Sequence, residues 1–381
     1  MASIRMVDCA EGLAALGPEW DALHAAAPAA SVFTSWPWQR EWWKVYGGEQ
    51  PLRVLVASEG GRTVGILPLY IQTTRVAGLR VRSLRLVGTG GDTHPDDVGP
   101  VLGGAAPAEA GRALARAALR LGGWDILALA DMDCRLGFHE AAAGEARQAG
   151  LRLREGIAER IAYIDLPESW DDYLKSASST RRQRIRKRRR RLAAAGAARF
   201  FVWEDAATLD AAVDQLIALH RKRWDAVGER GSFASAKYND FHRAVIKACH
   251  ARGWIRLYCL ELGGRVVALH YAYRFRNAVY LMQSGMDPQL GPLAVGSVLL
   301  GYSIEHAIGE GNRVWDFLRG EHAYKAEWGN GLRNTLSVTV QRRGLAAWMH
   351  QARTLHLPAL KAFARALLRR PKERLSSPGM A

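Results

Sequence analysis

Two segments 203 residues apart repeat one design. Residues 52–72 read LRVLVASEGGRTVGILPLYIQ, and residues 255–275 read IRLYCLELGGRVVALHYAYRF. At that offset six pairs are identical: Arg53/Arg256, Gly60/Gly263, Gly61/Gly264, Arg62/Arg265, Val64/Val267 and Tyr70/Tyr273. Each segment is an apolar run, a Gly-Gly step and a second apolar run. Glycine reaches the positive φ that a tight hairpin turn demands, so each segment reads as a β-hairpin. Like hairpins in like surroundings point to an internal duplication.

The surroundings are indeed alike. Helical stretches precede both hairpins, at 18–27 and 36–46 for the first and at 206–227 and 238–252 for the second. After the second hairpin, residues 278–284 read as a strand, 285–288 as a turn, 295–308 as a helix and 313–318 as a further strand. The first half runs from a strand at 82–87 through a Gly/Asp/Pro loop (88–107) to an Ala-rich helix at 108–121 and a strand at 125–130. Strands alternating with helices imply an α/β sheet. A chain of 381 residues is long for one domain. The division expected is 1–160, 161–344 and a basic, partly helical tail at 345–381, with 131–160 joining the halves.

Charge narrows the partners. The net charge is +16, but nine Lys/Arg in 181–191 and nine against one acid in 341–381 carry all of the surplus. The rest is close to neutral, which argues against a general nucleic-acid binder and for local anionic contacts. Within 181–191 only Ile185, with Leu192 beyond it, gives the helix an apolar face, so its other faces should be wet. Cys9, Cys134, Cys249 and Cys259 show no metal-ligand spacing and read as buried free thiols. With no apolar leader and no run long enough to span a bilayer, a cytoplasmic protein is expected. The tail adds Trp348, Leu355, Leu360, Phe363, Leu367 and Leu368 to its basic residues, a mixture suited to lying on an anionic membrane.

The most distinctive segment is Trp315-Asp316-Phe317-Leu318-Arg319-Gly320-Glu321-His322-Ala323-Tyr324-Lys325-Ala326-Glu327-Trp328-Gly329. It resembles the FDFLRG…YK..WG signature of BioF2-like, CelD/BcsL-type acetyltransferases of the GNAT superfamily. The aromatic entry Phe33-Thr34-Ser35-Trp36 through Trp42-Trp43, the basic helix, and Leu219-His220-Arg221-Lys222-Arg223-Trp224 are similar to that family too. The likeness covers roughly 30–335 and excludes the tail. That family is related to the Fem-type peptidoglycan aminoacyl transferases, which are tandem GNAT folds with a comparable basic helix and an FK..FG lysine. The resemblance implies two tandem GNAT-like α/β domains, mixed sheets flanked by helices, the first domain lacking a full catalytic set. It implies acetyl-CoA or another acyl-CoA as donor, without a metal.

Candidate residues follow. Leu293, Ala294, Val295, Gly296 and Ser297 open a helix whose unpaired N–H groups suit a diphosphate. The usual Arg/Gln-x-x-Gly-x-Gly/Ala loop is absent, and only Gly296 and Ser297 remain as small contacts. Lys325 is a cation able to stabilise an oxyanion. Its replacement is expected to leave the fold intact. Asp316 is a candidate general base, an orienter of Lys325 or Arg319, or an ion-pair partner of Arg319. His270, mid-strand, is a candidate proton acceptor because histidine titrates near neutrality. Arg223, Arg319 and Tyr324 are candidates for substrate binding.

The function expected is acyl transfer from acyl-CoA to an amine or hydroxyl on a small molecule or glycan, by direct attack in a ternary complex. Two alternatives stand beside it. One is aminoacyl transfer from charged tRNA; the other is a non-catalytic scaffold at a membrane-bound assembly.

Overall fold

The computed structural model describes residues 2–351 other than Ala77 and Glu321. The expected membrane-facing residues Leu355, Leu360, Phe363, Leu367 and Leu368 lie outside the described residues. Strands β1 (Ser3–Val7), β2 (Leu52–Glu59), β3 (Arg62–Val76), β4 (Leu79–Leu86), β5 (Val101–Leu102) and β6 (Ile126–Asp133) come first. Then follow β7 (Arg152–Asp165), β8 (Ala198–Val202), β9 (Ile255–Leu262), β10 (Arg265–Phe275), β11 (Ala278–Met286), β12 (Val314–Asp316) and β13 (Gly331–Gln341).

The repeat is a pair of hairpins, β2–β3 and β9–β10, and their registers match to the residue. Leu52 faces Tyr70 as Ile255 faces Tyr273. Each hairpin bulges once at the same place. Val64 is the extra residue between Thr63 and Gly65, and Val267 is the extra residue between Val266 and Ala268. A bulge is a local departure that two unrelated hairpins have no reason to share, so the match supports duplication.

All 13 described strands join one mixed sheet; β5 pairs only with β3, and the other twelve read as two mirrored halves: β1-β2-β3-β4-β6-β13, then β7-β12-β11-β10-β9-β8. Each half has one parallel pair, β4 with β6 and β11 with β12. The closing strands are exchanged between halves. β7 follows β6 in the chain but pairs with β12, whereas β13 follows β12 but pairs with β6. The two also pair with each other along the whole of β13.

Three expectations change. Residues 131–160 are not a simple joining segment: they hold the helix Phe138–Gln148 and most of β7, and the expected 160/161 division falls inside that strand. The strand expected at 313–318 stops at Asp316, because Leu318 turns the chain at φ 53°. Of the four thiols expected to be buried, Cys249 and Cys259 are, whereas Cys9 and Cys134 are exposed.

Helices cover both faces, and one apolar core runs through both halves. Trp38 meets Phe241 edge-on at 4.9 Å, and Phe33 meets Tyr273 at 6.2 Å. Arg252 and Asp21 add an ion pair at 2.6 Å. The helix Leu345–Gln351 lays Ala347 on Val76, Val81 and Ile126, while Leu345 and Trp348 stay exposed. No helix among the described residues is long and apolar enough to cross a membrane.

Candidate active site

The site begins where two strands part. β12 pairs with β11 only from Ala278 to Tyr280, and β12 ends there. The rest of β11, through Met286, keeps no partner on that side. A cavity of about 220 Å³ fills the gap, walled by Ser284, Gly285 and Met286 on β11, by Gly296, Ser297 and Leu300, and by Tyr324, Glu327 and Trp328. Gly296 is there for closeness: a Cβ would stand 2.6 Å from the Met286 Sδ. The helix Val295–Gly309 starts at Ala294, held at φ 51°, and no side chain caps it. Its first N–H groups are therefore available to an anion.

Of the five residues expected to hold the donor, Gly296 and Ser297 line this cavity; Leu293, Ala294 and Val295 do not. Val295 is 1% exposed and packs into the core instead. Beside the opening lies the basic helix Ser179–Ala194. Ile185 and Leu192 anchor it, as the spacing implies. Arg188 donates to the Ser297 hydroxyl at 2.6 Å, and Arg184 pairs with Glu327 at 2.6 Å. Arg186, Lys187, Arg190 and Arg191 remain exposed.

A second cavity, of about 230 Å³, adjoins the first, and Arg223, Leu281, Ser284 and Tyr324 line both. The first half supplies one wall of it: Phe33 and the loop residues Asp92, His94, Pro95 and Asp96. That loop is pinned from behind. The Trp42 indole donates to the Thr93 hydroxyl at 2.8 Å, Tyr70 donates to the Thr89 carbonyl at 2.7 Å, and Tyr46 donates to Asp92. The aromatic entry segment thus fixes acids at the site. The second half contributes His220, Gln283, Arg319 and Lys325 to its lining.

Lys325 is not solvent-facing; it is 6% exposed. Its ammonium donates to the main-chain oxygens of Phe317 and Leu318, each at 2.9 Å, and to that of Arg319. All three protons are spoken for. Burial pulls the group down to about 8, with Asp96 and Asp316 acting against the shift. In this geometry Lys325 holds the bend after β12 rather than reaching toward a substrate.

Asp316 lines neither cavity. Its carboxylate accepts the Leu318 N–H at 2.7 Å and the Arg333 Nε–H at 2.6 Å. The ion pair expected with Arg319 is therefore made with Arg333, which also takes both oxygens of Asp97 at 2.6 and 2.8 Å. Arg319 turns the other way. Its guanidinium donates to Asp131 at 2.6 Å and Glu159 at 3.1 Å, and its main-chain N–H donates to Asp96 at 2.8 Å. Leu318, Asp97 and Asp131 all sit at positive φ, so strained backbone gathers here.

His270 lines the first cavity, but burial, with Arg223 adding to the effect, drives it down to about 3. The expectation of a histidine titrating near neutrality is thereby corrected: it is neutral at pH 7 and a weak base. Its Nδ1 sits 3.2 Å from the Ser303 hydroxyl, which already donates to the Leu299 carbonyl, so Nδ1 carries the proton. Arg223 donates to Ser284 at 2.8 Å where the cavities meet. Tyr324 shares that junction, and burial raises its phenol pKa.

Sequence reasoning assigned no role to Asp96, His220 or Arg333. His220 accepts the Trp224 indole N–H at 3.0 Å, which puts the imidazole proton on Nδ1, facing no partner among the described residues. A visible clue to Asp96 was the run His94-Pro95-Asp96-Asp97, two adjacent acids without a basic neighbour in a Gly-rich loop.

Residues 179–326 match the family model described as acetyltransferase (GNAT) domain. No curated protein sequence matches the chain. Among solved structures, FemX is similar at 12% identity and TM-score 0.58, over 84% of this chain and 95% of that one. A DUF2156 domain from Agrobacterium fabrum is similar at 13% identity and TM-score 0.54, over 93% and 97%. A conserved protein from Bacteroides thetaiotaomicron follows at 11% identity and TM-score 0.51, over 90% and 100%. The chain thus carries a GNAT-type acetyltransferase domain inside a mixed α/β fold that it shares with FemX, and acyl transfer is the general chemistry this supports.

Proposed function

We propose that the protein moves an acyl group from an acyl-CoA, with acetyl-CoA the first candidate, to an amine or hydroxyl of a small molecule or glycan precursor. The observation that carries this is the pair of joined cavities. One abuts an uncapped helix N-terminus and an open strand edge, and the other mixes charged and apolar side chains and is walled by both halves of the chain. A thioester in the first would present its carbonyl carbon at the junction, where Arg223, Ser284 and Tyr324 stand. The Gly296–Ser297 turn and Arg188 would face the diphosphate. The acceptor would attack directly, so proximity and the removal of a proton supply the catalysis.

The BioF2-like resemblance extends this reading to polysaccharide or cell-envelope biosynthesis, with the protein cytoplasmic and meeting the membrane through its basic tail. It also keeps units 1–160 and 161–344 as the working division, with β7 and β13 exchanged. A second reading, aminoacyl transfer from charged tRNA, is favoured by one feature: the exposed arginines of the 179–194 helix, beside the donor cavity.

Thermal-shift titration with acetyl-CoA, free CoA and tRNA separates these. Acetyl-CoA at a hundred times its Kd should add about 2.7 kcal/mol to stability. A rise with tRNA alone favours the aminoacyl reading. A response to neither leaves only a scaffold.

A further inference from the structure

The helix Ser179–Ala194 carries two sets of cations. One set is engaged by the protein itself. Arg181 and Arg182 donate to the Trp328 and Leu174 main-chain oxygens, Arg184 pairs with Glu327, and Arg188 holds Ser297. Arg189 pairs with Glu305 at 2.7 Å and lies over the Tyr302 ring. The other set, Arg186, Lys187, Arg190 and Arg191, is exposed and makes no ion pair among the described residues. At 3.6 residues per turn these side chains share an arc of about 140° and span about 7.5 Å of helix. That arc lies opposite the face that Ile185 and Leu192 bury.

The patch has an apolar neighbour. The segment Pro288–Leu293 packs beside the basic helix and leads directly into the helix Val295–Gly309. Pro292 is exposed there, and Leu290 and Leu293 are half-buried. The basic helix and this segment flank the uncapped N-terminus of the 295–309 helix, and Arg188 ties the first to it through Ser297. A body lying across both would cover the opening of the donor cavity, which Arg188, Gly296 and Ser297 line.

A phosphate at that N-terminus is met by free N–H groups and by Arg188. The outward arc lies beyond it and suits a larger acidic surface. RNA is a poor match. Its charge is continuous, whereas this patch is short and, apart from the tail, the rest of the chain is close to neutral. The apolar ledge at 290–293 also offers nothing to a phosphate backbone, but it suits a protein interface, in which an apolar centre is rimmed by charge.

Resting on the acyl-transfer reading above, we propose that the thioester is delivered by a small acidic carrier protein, which docks on the Arg186–Arg191 face and the 290–293 ledge. Its phosphopantetheine arm enters the donor cavity, and the arm's single phosphodiester meets the start of the 295–309 helix. Gly296 and Ser297, the small contacts there, serve one phosphate where CoA would bring a diphosphate. On transfer the bond from the acyl carbon to the arm sulfur breaks and the bond to the acceptor forms. The proton the acceptor gives up ends on the sulfur, and the carrier leaves as the free thiol.

The test uses the full chain and a bacterial fatty-acid carrier protein in apo and acetyl forms, with acetyl-CoA and tRNA as comparison ligands. Isothermal titration at low salt reads binding. The acetyl carrier should bind more tightly than acetyl-CoA and than the apo carrier, and raised salt should weaken it. Arg186→Glu with Arg190→Glu should cut carrier affinity about tenfold or more, while acetyl-CoA affinity stays within about twofold and Tm is unchanged. The proposal is overturned if the carrier does not bind, or if the double variant holds it within about threefold of wild type. It is overturned equally if acetyl-CoA affinity falls by the same factor, since the cations would then serve the nucleotide. Displacement of the carrier by an equal concentration of tRNA also overturns it. Acetyl-CoA binding without carrier binding strikes the docking face alone and leaves the donor reading standing. Apo and acetyl carrier binding alike, with acetyl-CoA silent, overturns both.

Discussion

The Lys325 ammonium lies 2.9 Å from the main-chain oxygen of Leu318, a residue held at φ 53°. A bulky side chain rarely adopts that backbone region, and here the cation and Asp316 together fix it from both sides. Lys325→Ala removes the donor for three enclosed carbonyls. The expected loss is on the order of 3 kcal/mol by urea unfolding, together with a fall in transfer rate as the wall carrying Arg319 moves. Unchanged unfolding with reduced rate would instead restore Lys325 to a direct catalytic role.

Arg333 joins Asp97 of the first half to Asp316 of the second, and both acids are nearly fully buried. Arg333→Met strips the counter-ion from two enclosed carboxylates at once. A destabilisation of about 3–5 kcal/mol at pH 7 is expected. The damage should shrink at pH 5, because carboxyls left unpaired inside the protein take up protons there more readily than in the unfolded chain. Chemical denaturation at the two pH values reads the difference.

The hairpins were legible in sequence because Gly-Gly between apolar runs permits little else, and the repeat located both at once. The partition of the sheet was not. β7 and β13 declare themselves as strands only weakly, with charged residues such as Arg154, Glu155 and Arg333 among the apolar ones, and nothing local tells a strand that its partner lies in the other half. The site was half legible for a similar reason. Arg223, Tyr324 and Gly296 sit in motifs, and the cavities do gather around them. Asp96 and Arg333 act through partners more than 200 residues away, as with Arg319 and Asp97, and such pairings exist only after folding.

The donor site is tested without disturbing its packing. Gly296→Glu adds charge and bulk, but any Cβ there also presses on Met286, so the variant alone is ambiguous. Arg188→Ala leaves the 295–309 helix in place and removes one cation beside Ser297. Acetyl-CoA affinity should fall about tenfold by titration, the worth of one charge-assisted contact. Equal affinity in both variants would move the diphosphate elsewhere.

Asp96 also sets a pH signature for stability. Its folded value, about 7, lies above the ordinary carboxylate value, chiefly through burial, with Arg319 opposing and Asp97 and Asp131 reinforcing. Between about pH 4 and pH 7 the folded chain therefore holds a proton that the unfolded chain has released, and this group's contribution to stability falls as pH rises. Asp96→Asn lacks that cost. The Tm of the variant minus that of the wild type should climb from pH 4.5 to pH 7 and then level off. A difference that stays constant across the range would mean that Asp96 is ionised throughout.

The tail offers the last test. Leu345 and Trp348, one turn apart on the final described helix, are 63% and 56% exposed, and residues 341–381 carry nine Lys/Arg against one acid. An apolar edge beside dense positive charge suits an anionic bilayer surface, each basic residue adding about 1 kcal/mol near it. Full-length protein should pellet with phosphatidylserine-containing vesicles at low salt and be released as salt screens the attraction. The informative truncation ends after Gln351, not after Gly344, since Ala347 covers Val81 and Ile126 and its loss would bare core residues. A chain ending at 351 should stay in the supernatant with its acetyl-CoA binding intact. If it pellets as the full chain does, the attraction comes from the 179–194 helix, and charge reversal at the exposed Arg186 and Arg190 should then abolish it.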